Sequence, residues 1–309
     1  MHKTMKTIKV LVYSLFTILG IHIANAQQDL LLSQEIFSRI NKNPAATGNT
    51  TDIDIFLHGR IQWAGVDNGP RTGVLNVTNY IDKIKSGMGL TCSFDKMGMA
   101  HNTINIKGVY AYQIDLSEKY VLSLGLGVGF YYGYFDPYRN LISDQSELGD
   151  ETYPDKKETK VSPDFDFGAE LSNPYWTVGA SVTHLTKGEM TTFESERHYY
   201  LYGTSLIPIN QTWEVAPTLC YMHRNKTNVM EIGSLGFYDR FLWGGFAIRP
   251  DLSNGFNPSM MVLTLGVEWY KIRFGYSIDL GLGANERIDK TTHEIVLSYG
   301  FDKTKYKKR

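Results

Sequence analysis

The sequence predicts an all-β protein, a transmembrane outer-membrane antiparallel β-barrel of about fourteen strands, and three observations carry that prediction. Hydrophobicity alternates with period two along most of the chain. That spacing sorts side chains onto the two faces of a strand, whereas a helix would scatter them around its surface. Long or charged connections alternate with tight turns, the asymmetry of a barrel with short periplasmic turns and longer outer loops. Tyr (20), Phe (15) and Gly (29) are abundant, and aromatic residues at strand ends suit the two interfaces of a bilayer.

Composition closes off other classes. The chain has 309 residues with 31 Lys+Arg against 32 Asp+Glu, 42% hydrophobic and 13% aromatic. It is too rich in aromatics for a disordered tail, and it lacks the basic excess of a general nucleic-acid binder. Two cysteines build neither a disulfide scaffold nor a cysteine-rich zinc module. Cys92 and Cys220 lie far apart and read as two small buried thiols rather than a pair. A mean hydropathy of −0.24 argues against a bundle of membrane helices but suits a barrel, whose polar lumen dilutes its apolar wall.

The first 26 residues read as an address. Lys3, Lys6 and Lys9 precede an apolar run, and Ala24-Asn25-Ala26 is a small-x-small cleavage site, the pattern of a secretory signal peptide cut before Gln27. Losing those three lysines takes the formal net charge from −1 to −4. Residues 27–51 are polar and not strand-like, and are expected to form a periplasmic or plug-like segment, with a flexible leader as the other reading. The barrel is expected over 52–301 and a basic tail over 302–309.

Along the barrel the strands are expected at 52–62, 71–79, 86–94, 101–114, 119–134, 163–172, 175–184, 197–206, 212–221, 227–237, 240–249, 260–269, 271–280 and 291–301. The alternation is muddled at 71–79 and 240–249, and dropping both would leave twelve. Tyr120 to Phe135 sets Leu122, Leu124, Leu126, Val128 and Phe130 against Ser123, Gly125, Gly127 and Gly129. Ile53, Ile55, Leu57 and Ile61 stand opposite Asp54, His58 and Arg60. Charges on the second face need water or partners. Arg60, Lys107, Asp166, Glu170, Arg273, Asp279 and Glu294 therefore read as a hydrogen-bonded lumen lining. A large secreted β-sandwich or β-helix would explain the alternation but not the loop asymmetry.

Chemistry is sparse. The histidines after the leader, His58, His101, His184, His198, His223 and His293, lack zinc-motif spacing. There is no G-x-S-x-G elbow, and Gly125-Leu126-Gly127 sits in a strand rather than opening a helix. No catalytic, metal or cofactor residue is assigned and no cofactor is expected.

Four stretches together resemble one family. They are Phe37 to Gly48, which contains Asn43-Pro44-Ala45-Ala46-Thr47-Gly48; Arg60-Ile61-Gln62-Trp63-Ala64-Gly65 followed by Gly69-Pro70-Arg71-Thr72; Gly87-Met88-Gly89-Leu90 with Asp95-Lys96-Met97-Gly98; and Phe274-Gly275-Tyr276-Ser277-Ile278-Asp279 followed by His293-Glu294. In this order, behind a leader, they resemble the PorP/SprF family of type IX secretion system membrane proteins of Bacteroidetes. The stretch Leu32 to Phe37 matches the family's start only in part, Thr291-Thr292 replaces a Ser-Gly pair, and the chain ends on basic rather than aromatic residues.

The resemblance implies a non-catalytic outer-membrane barrel. Such a barrel would support secretion or surface attachment of large adhesins, often in gliding motility, with outer-membrane lipid, a secreted adhesin and periplasmic components of the same machine as partners. It singles out Asn43, Pro44, Ala45, Gly48, Arg60, Gln62, Trp63, Gly65, Pro70, Arg71, Thr72, Asp95, Gly98, Tyr276, Asp279, His293 and Glu294 as signature residues, structural or partner-facing. Plainer readings exist for several of them. Gly65, Gly69 and Pro70 suit a turn, Trp63 suits an interface anchor, and Asn43-Pro44 suits a turn. A small-solute pore and, further off, a barrel lipid hydrolase are the competing functions.

Overall fold

A computed structural model of the chain describes residues 31–49, 53–98, 100–136, 157–186, 196–225, 227–252, 256–282 and 291–301. The leader, residues 27–30, most of the expected loop 135–162 and the basic tail fall outside the described residues.

Alternating sequence becomes paired strand throughout. In chain order the strands are β1 (Ile53–Ile61), β2 (Arg71–Ile81), β3 (Ser86–Met97), β4 (His101–Asp115), β5 (Val121–Phe135), β6 (Glu158–Ser172), β7 (Trp176–Thr183), β8 (His198–Ser205), a two-residue β9 (Ile207–Pro208), β10 (Trp213–Arg224), β11 (Thr227–Tyr238), β12 (Leu242–Asp251), β13 (Asn257–Trp269), β14 (Ile272–Gly281) and β15 (Thr292–Phe301). β9 pairs only with the start of β10. The fourteen long strands follow one another antiparallel around a ring, which closes where β15 pairs β1, with Arg60 opposite Glu294. Among the described residues, closure gives every long strand a neighbour on both sides, which is how a sheet avoids free edges in a bilayer.

All fourteen expected strands are present, including the two with muddled alternation. β5 and β6 run further toward the outer loop than the sequence pattern suggested, to Phe135 and from Glu158. Their added length pairs Phe135 with Glu158 and sets Tyr131, Tyr132 and Tyr134 opposite Ser162, Val161 and Thr159.

The two faces separate as the alternation requires. Ile55, Leu57, Leu124, Leu126, Val128, Phe130, Phe167, Leu201, Leu265, Phe274 and Ile295 point outward and are exposed. Asp54, His58, Arg60, Ser123, Asp164, Asp166, Glu170, Ser277, Asp279 and Glu294 point inward and are buried. An apolar surface running round a whole ring is the wall of a membrane barrel. The expectation for the cysteines needs one correction. Both are free, but only Cys220 is buried. Cys92 shares the outward phase of β3 with Leu90 and Phe94 and is half-exposed, because its position in the pleat aims it at the lipid side.

On the short-turn side, periplasmic in barrels of this kind, the connections are tight. Asp82–Ile84 form a 3-10 turn, and Tyr270 and Lys271 make the β13–β14 turn with positive φ. Trp176, Trp213, Tyr238, Trp269 and Tyr270 gather at this rim, with the Trp213 and Tyr238 rings tilted against each other, their centres 5.0 Å apart. Their amphipathic rings suit the headgroup level.

Candidate functional site

Residues 31–49 lie inside the ring, on the inward face of the strands. The segment has no ladder of its own. Its backbone folds into successive turns, with Phe37 N bonded to Gln34 O at 3.2 Å, Asn43 N to Arg39 O at 2.9 Å and Thr47 N to Pro44 O at 3.2 Å. Asn43 caps the 3-10 turn Pro44–Ala46, its side chain accepting from Ala45 N at 2.9 Å. Proline after the cap supplies a preset φ and needs no donor there.

Three side-chain groups face this segment or the space beside it. In the first, Arg60 and Arg249 converge. Arg60 Nη1 lies 3.2 Å from Glu294 Oε1, Arg249 Nη1 lies 2.9 Å from Asp279 Oδ2 and Arg249 Nε lies 2.7 Å from Glu231 Oε2. His58 Nε2 stands 3.0 Å from Glu294 Oε2. Both guanidiniums also donate to one main-chain oxygen, Leu31 O, at 2.9 and 3.2 Å. Ser33 N donates to Glu294 at 2.8 Å, and the Ser33 hydroxyl lies within reach of Asp279, Glu294 and Arg249.

In the second group, Arg39 makes a two-pronged pair with Glu170 at 3.0 and 3.1 Å, the strong geometry for a guanidinium and a carboxylate. Tyr202 OH donates to Glu170 at 2.5 Å, and Asn43 Nδ2 donates to Tyr202 OH and to Ala169 O, each at 3.0 Å. Asn49 adds a bond to Glu170 at 2.7 Å. Burial acts to lower the pKa of Arg39, but the charge and hydrogen bonds of Glu170, together with Tyr202, outweigh it and leave the guanidinium raised and firmly charged. Lys42, paired with Glu35 within the segment, is likewise raised, because Glu35, Cys220 and Glu231 together overcome the burial penalty.

The third group lies in the wall. Lys107 Nζ stands 2.6 Å from Asp166 and 3.4 Å from Asp164, and His184 Nδ1 stands 2.8 Å from Asp164. This group borders a cavity of about 160 Å³ on the loop side of the segment, floored by Leu32, Glu35, Asn41 and Lys42. On the turn side, a cavity of about 330 Å³ has Ile36, Phe37 and Arg39 in its lining.

Shape matches charge. A side chain on Gly125 would stand 2.1 Å from Ala45 N, one on Gly168 would stand 2.0 Å from Asn43 Oδ1, one on Gly275 would stand 2.0 Å from Gln34 Oε1, and one on Gly87 would stand 2.0 Å from Thr47 O. These inward glycines are the notches through which the segment approaches the wall. Apolar residues on the lumen face are covered in the same way. Phe37 packs on Phe56, Trp243 and Val296, Ile40 and Ala46 pack on Val109, and Leu31 packs on Tyr202, Cys220 and Met222.

The signature residues divide among these places. Asn43, Pro44, Ala45 and Gly48 belong to the segment. Arg60, Asp279 and Glu294 form the first group, with Glu170 in the second and Lys107 and Asp166 in the third. Arg273 pairs with Glu268 at 2.7 Å, and its guanidinium lies 5.5 Å from the centre of the Phe37 ring. Gln62 is buried beside the loop-side cavity, and Thr72 Oγ1 donates to Asp95 at 2.5 Å.

Other signature residues stay apart. Trp63 and Gly65, both with positive φ, and Pro70 shape the connection between β1 and β2, which Gln62 N closes onto Pro70 O at 2.9 Å. Gly98, also at positive φ, turns the chain after β3. Arg71 is exposed. Tyr276 and His293 face outward, joined at 2.5 Å.

Arg249, Glu231, Tyr202 and Ser33 take part without having been singled out from sequence. Arg249 had a usable signal, as an arginine on the inward phase of an expected strand. Ser33 had none. Among the described residues, no group of three or more His, Cys, Asp or Glu is placed to hold a metal ion. The charged groups face one another and the segment, an arrangement suited to recognition through hydrogen bonds and ion pairs.

Comparison with known proteins agrees with the ring. A family model described as "Type IX secretion system membrane protein PorP/SprF" matches residues 24–299. A search of curated proteins finds no match. Among solved structures, the deltaS2S3 mutant of the monoaromatic hydrocarbon channel TodX is similar with a TM-score of 0.52 at 10% identity, over 87% of this chain and 94% of that one. A Pseudomonas aeruginosa FadL homologue is similar with a TM-score of 0.50 at 11% identity, over 84% and 93%. At these identities the likeness is one of fold.

Proposed function

We propose a function that starts from one premise: the chain belongs to the type IX secretion system membrane protein family PorP/SprF. It is an outer-membrane β-barrel of that family, and in our reading it supports the secretion or cell-surface attachment of a large exported adhesin without catalysing a reaction. Periplasmic components of the same machine would meet it at the short-turn rim, and the exported protein at the loops.

One observation carries the reading. The lumen that a solute pore would keep clear is crossed by residues 31–49, bonded to the wall at Arg60, Arg249, Glu170 and Glu294. A closed ring with a filled interior is a rigid platform in the membrane, suited to holding other proteins. The competing reading, a small-solute channel, draws on the similarity to the monoaromatic hydrocarbon channel TodX.

The test is deletion of the gene with an assay of surface-displayed adhesin and of gliding. Loss of display with normal adhesin synthesis is expected, and normal display would overturn the reading. Steady ion currents from the purified chain would favour the channel.

A further inference from the structure

We propose that the lumen is a polypeptide-binding site whose resident ligand is the chain's own segment 31–49, held so that it can dissociate and act as a releasable plug. The inference goes beyond the secretion role and does not depend on which exported protein is served.

The ring does not need the segment to close. Every long strand is paired on both sides by other strands, and the backbone bonds of 31–49 to itself are local turns. What joins segment to wall is recognition by side chains. Twin guanidiniums hold a main-chain carbonyl, a carboxylate holds the Ser33 amide, glycine notches receive Gln34 and Asn43, and Trp243 meets Phe37 with ring centres 4.9 Å apart.

Each hydrogen bond of this kind is worth only a modest net free energy, because water replaces the partner when the segment leaves. Leaving would not strand charge in a dry interior. Arg60, Arg249, Asp279, Glu231 and Glu294 remain paired with one another across the wall, and water entering the vacated lumen would hydrate Arg39 and Glu170. The cavities on either side already bring open space against the segment. The ligand class is therefore a turn-rich polypeptide presenting a free carbonyl, a side-chain amide, an aromatic ring and an arginine in that geometry.

Cys220 gives a native reporter. It faces inward, is 6% exposed and is covered by Leu31, so a water-soluble maleimide reaches it only when the segment lifts. The experiment uses the full chain carrying Cys92→Ser, purified in detergent, with labelling of Cys220 read by peptide mass spectrometry. Slow, measurable labelling is expected. Glu170→Gln, which weakens the Arg39 pair, should raise the rate roughly tenfold. A Gln34→Cys, Ser277→Cys pair joined by a short thiol cross-linker, at the place where the longer glutamine reaches Ser277 Oγ at 3.0 Å, should lower it by at least about tenfold.

If Glu170→Gln fails to fold, Asn43→Ala takes its place, since it alters no residue of the ring. Equal rates in all variants would overturn the proposal, because Cys220 would then be reached without release. Complete inertness of Cys220 in every variant would overturn it too, because the segment would be a permanent part of the core.

Discussion

The backbone nitrogen of Ala45 occupies the space that a side chain on Gly125 would need, 2.1 Å from the position of the absent Cβ, with the Pro44 carbonyl carbon at 2.3 Å. The conflict is with backbone, so it cannot be relieved by turning a side chain. Gly125→Ala should therefore displace the Asn43–Gly48 region. Gly59→Ala, where nothing lies within 4 Å, should be neutral or slightly stabilising, since strand glycine costs ~0.5–1 kcal/mol relative to alanine. Hydrogen exchange across 31–49 checks this, with faster exchange expected in the first variant and unchanged exchange in the second.

Phe37 is the segment's apolar anchor, buried against Trp243 and Phe237 at centroid distances of 4.9 and 6.4 Å. Truncating a buried phenylalanine costs up to ~3–5 kcal/mol. Because the ring pairs independently, that loss should fall on docking of the segment and leave barrel unfolding nearly unchanged. Phe37→Ala is expected to expose Trp243 to acrylamide quenching without a matching drop in the denaturant midpoint. A parallel collapse of both would show that the segment is integral to the barrel.

The bilayer placement predicts a depth-dependent penalty. Leu126 lies near the middle of β5 and Val161 toward the loop end of β6, both exposed on the outer wall. An arginine costs ~2–4 kcal/mol at the bilayer midplane and ~0–1 kcal/mol near the interface. Leu126→Arg should thus reduce folding into lipid vesicles far more than Val161→Arg. Equal effects would contradict the placement.

Lys42 sets a pH expectation. It faces Glu35, with Glu231, Cys220 and the Tyr202 ring nearby, and burial's downward pull on its pKa is outweighed by Glu35 together with Cys220 and Glu231. A raised lysine contributes stability that is fully present below its ordinary pKa of about 10.5 and is lost as pH climbs through the higher folded value. Protection of residues 33–43 in hydrogen exchange, corrected for intrinsic rates, should therefore hold from neutral pH to about 10. It should fall only above that. Lys42→Gln should abolish the alkaline step.

The strands were legible because period-two patterning is a direct consequence of the pleat, and because each face meets one solvent, lipid or lumen. Where the pattern blurred, the lumen face itself carries apolar groups. Trp243 on β12 points inward to meet Phe37, and Val74 on β2 points inward and is buried. The path of 31–49 was not legible. Its turns have no period, and its contacts depend on residues far away in sequence, such as Ser33 with Glu294 or Asn43 with Gly168. The Asn43-Pro44 pair does make the turn its composition suggests, but the same asparagine also bonds Tyr202 and the β6 backbone. No local rule could supply that second role.

The central claim is a membrane barrel whose lumen is closed by its own residues 31–49. Its most direct test is the conductance of the purified full-length chain in planar bilayers, beside Gly125→Val. The account predicts a native chain that inserts yet carries at most brief, rare current steps at neutral pH, and a variant that conducts steadily. Large, sustained currents from the native chain, unchanged in Gly125→Val, would contradict it.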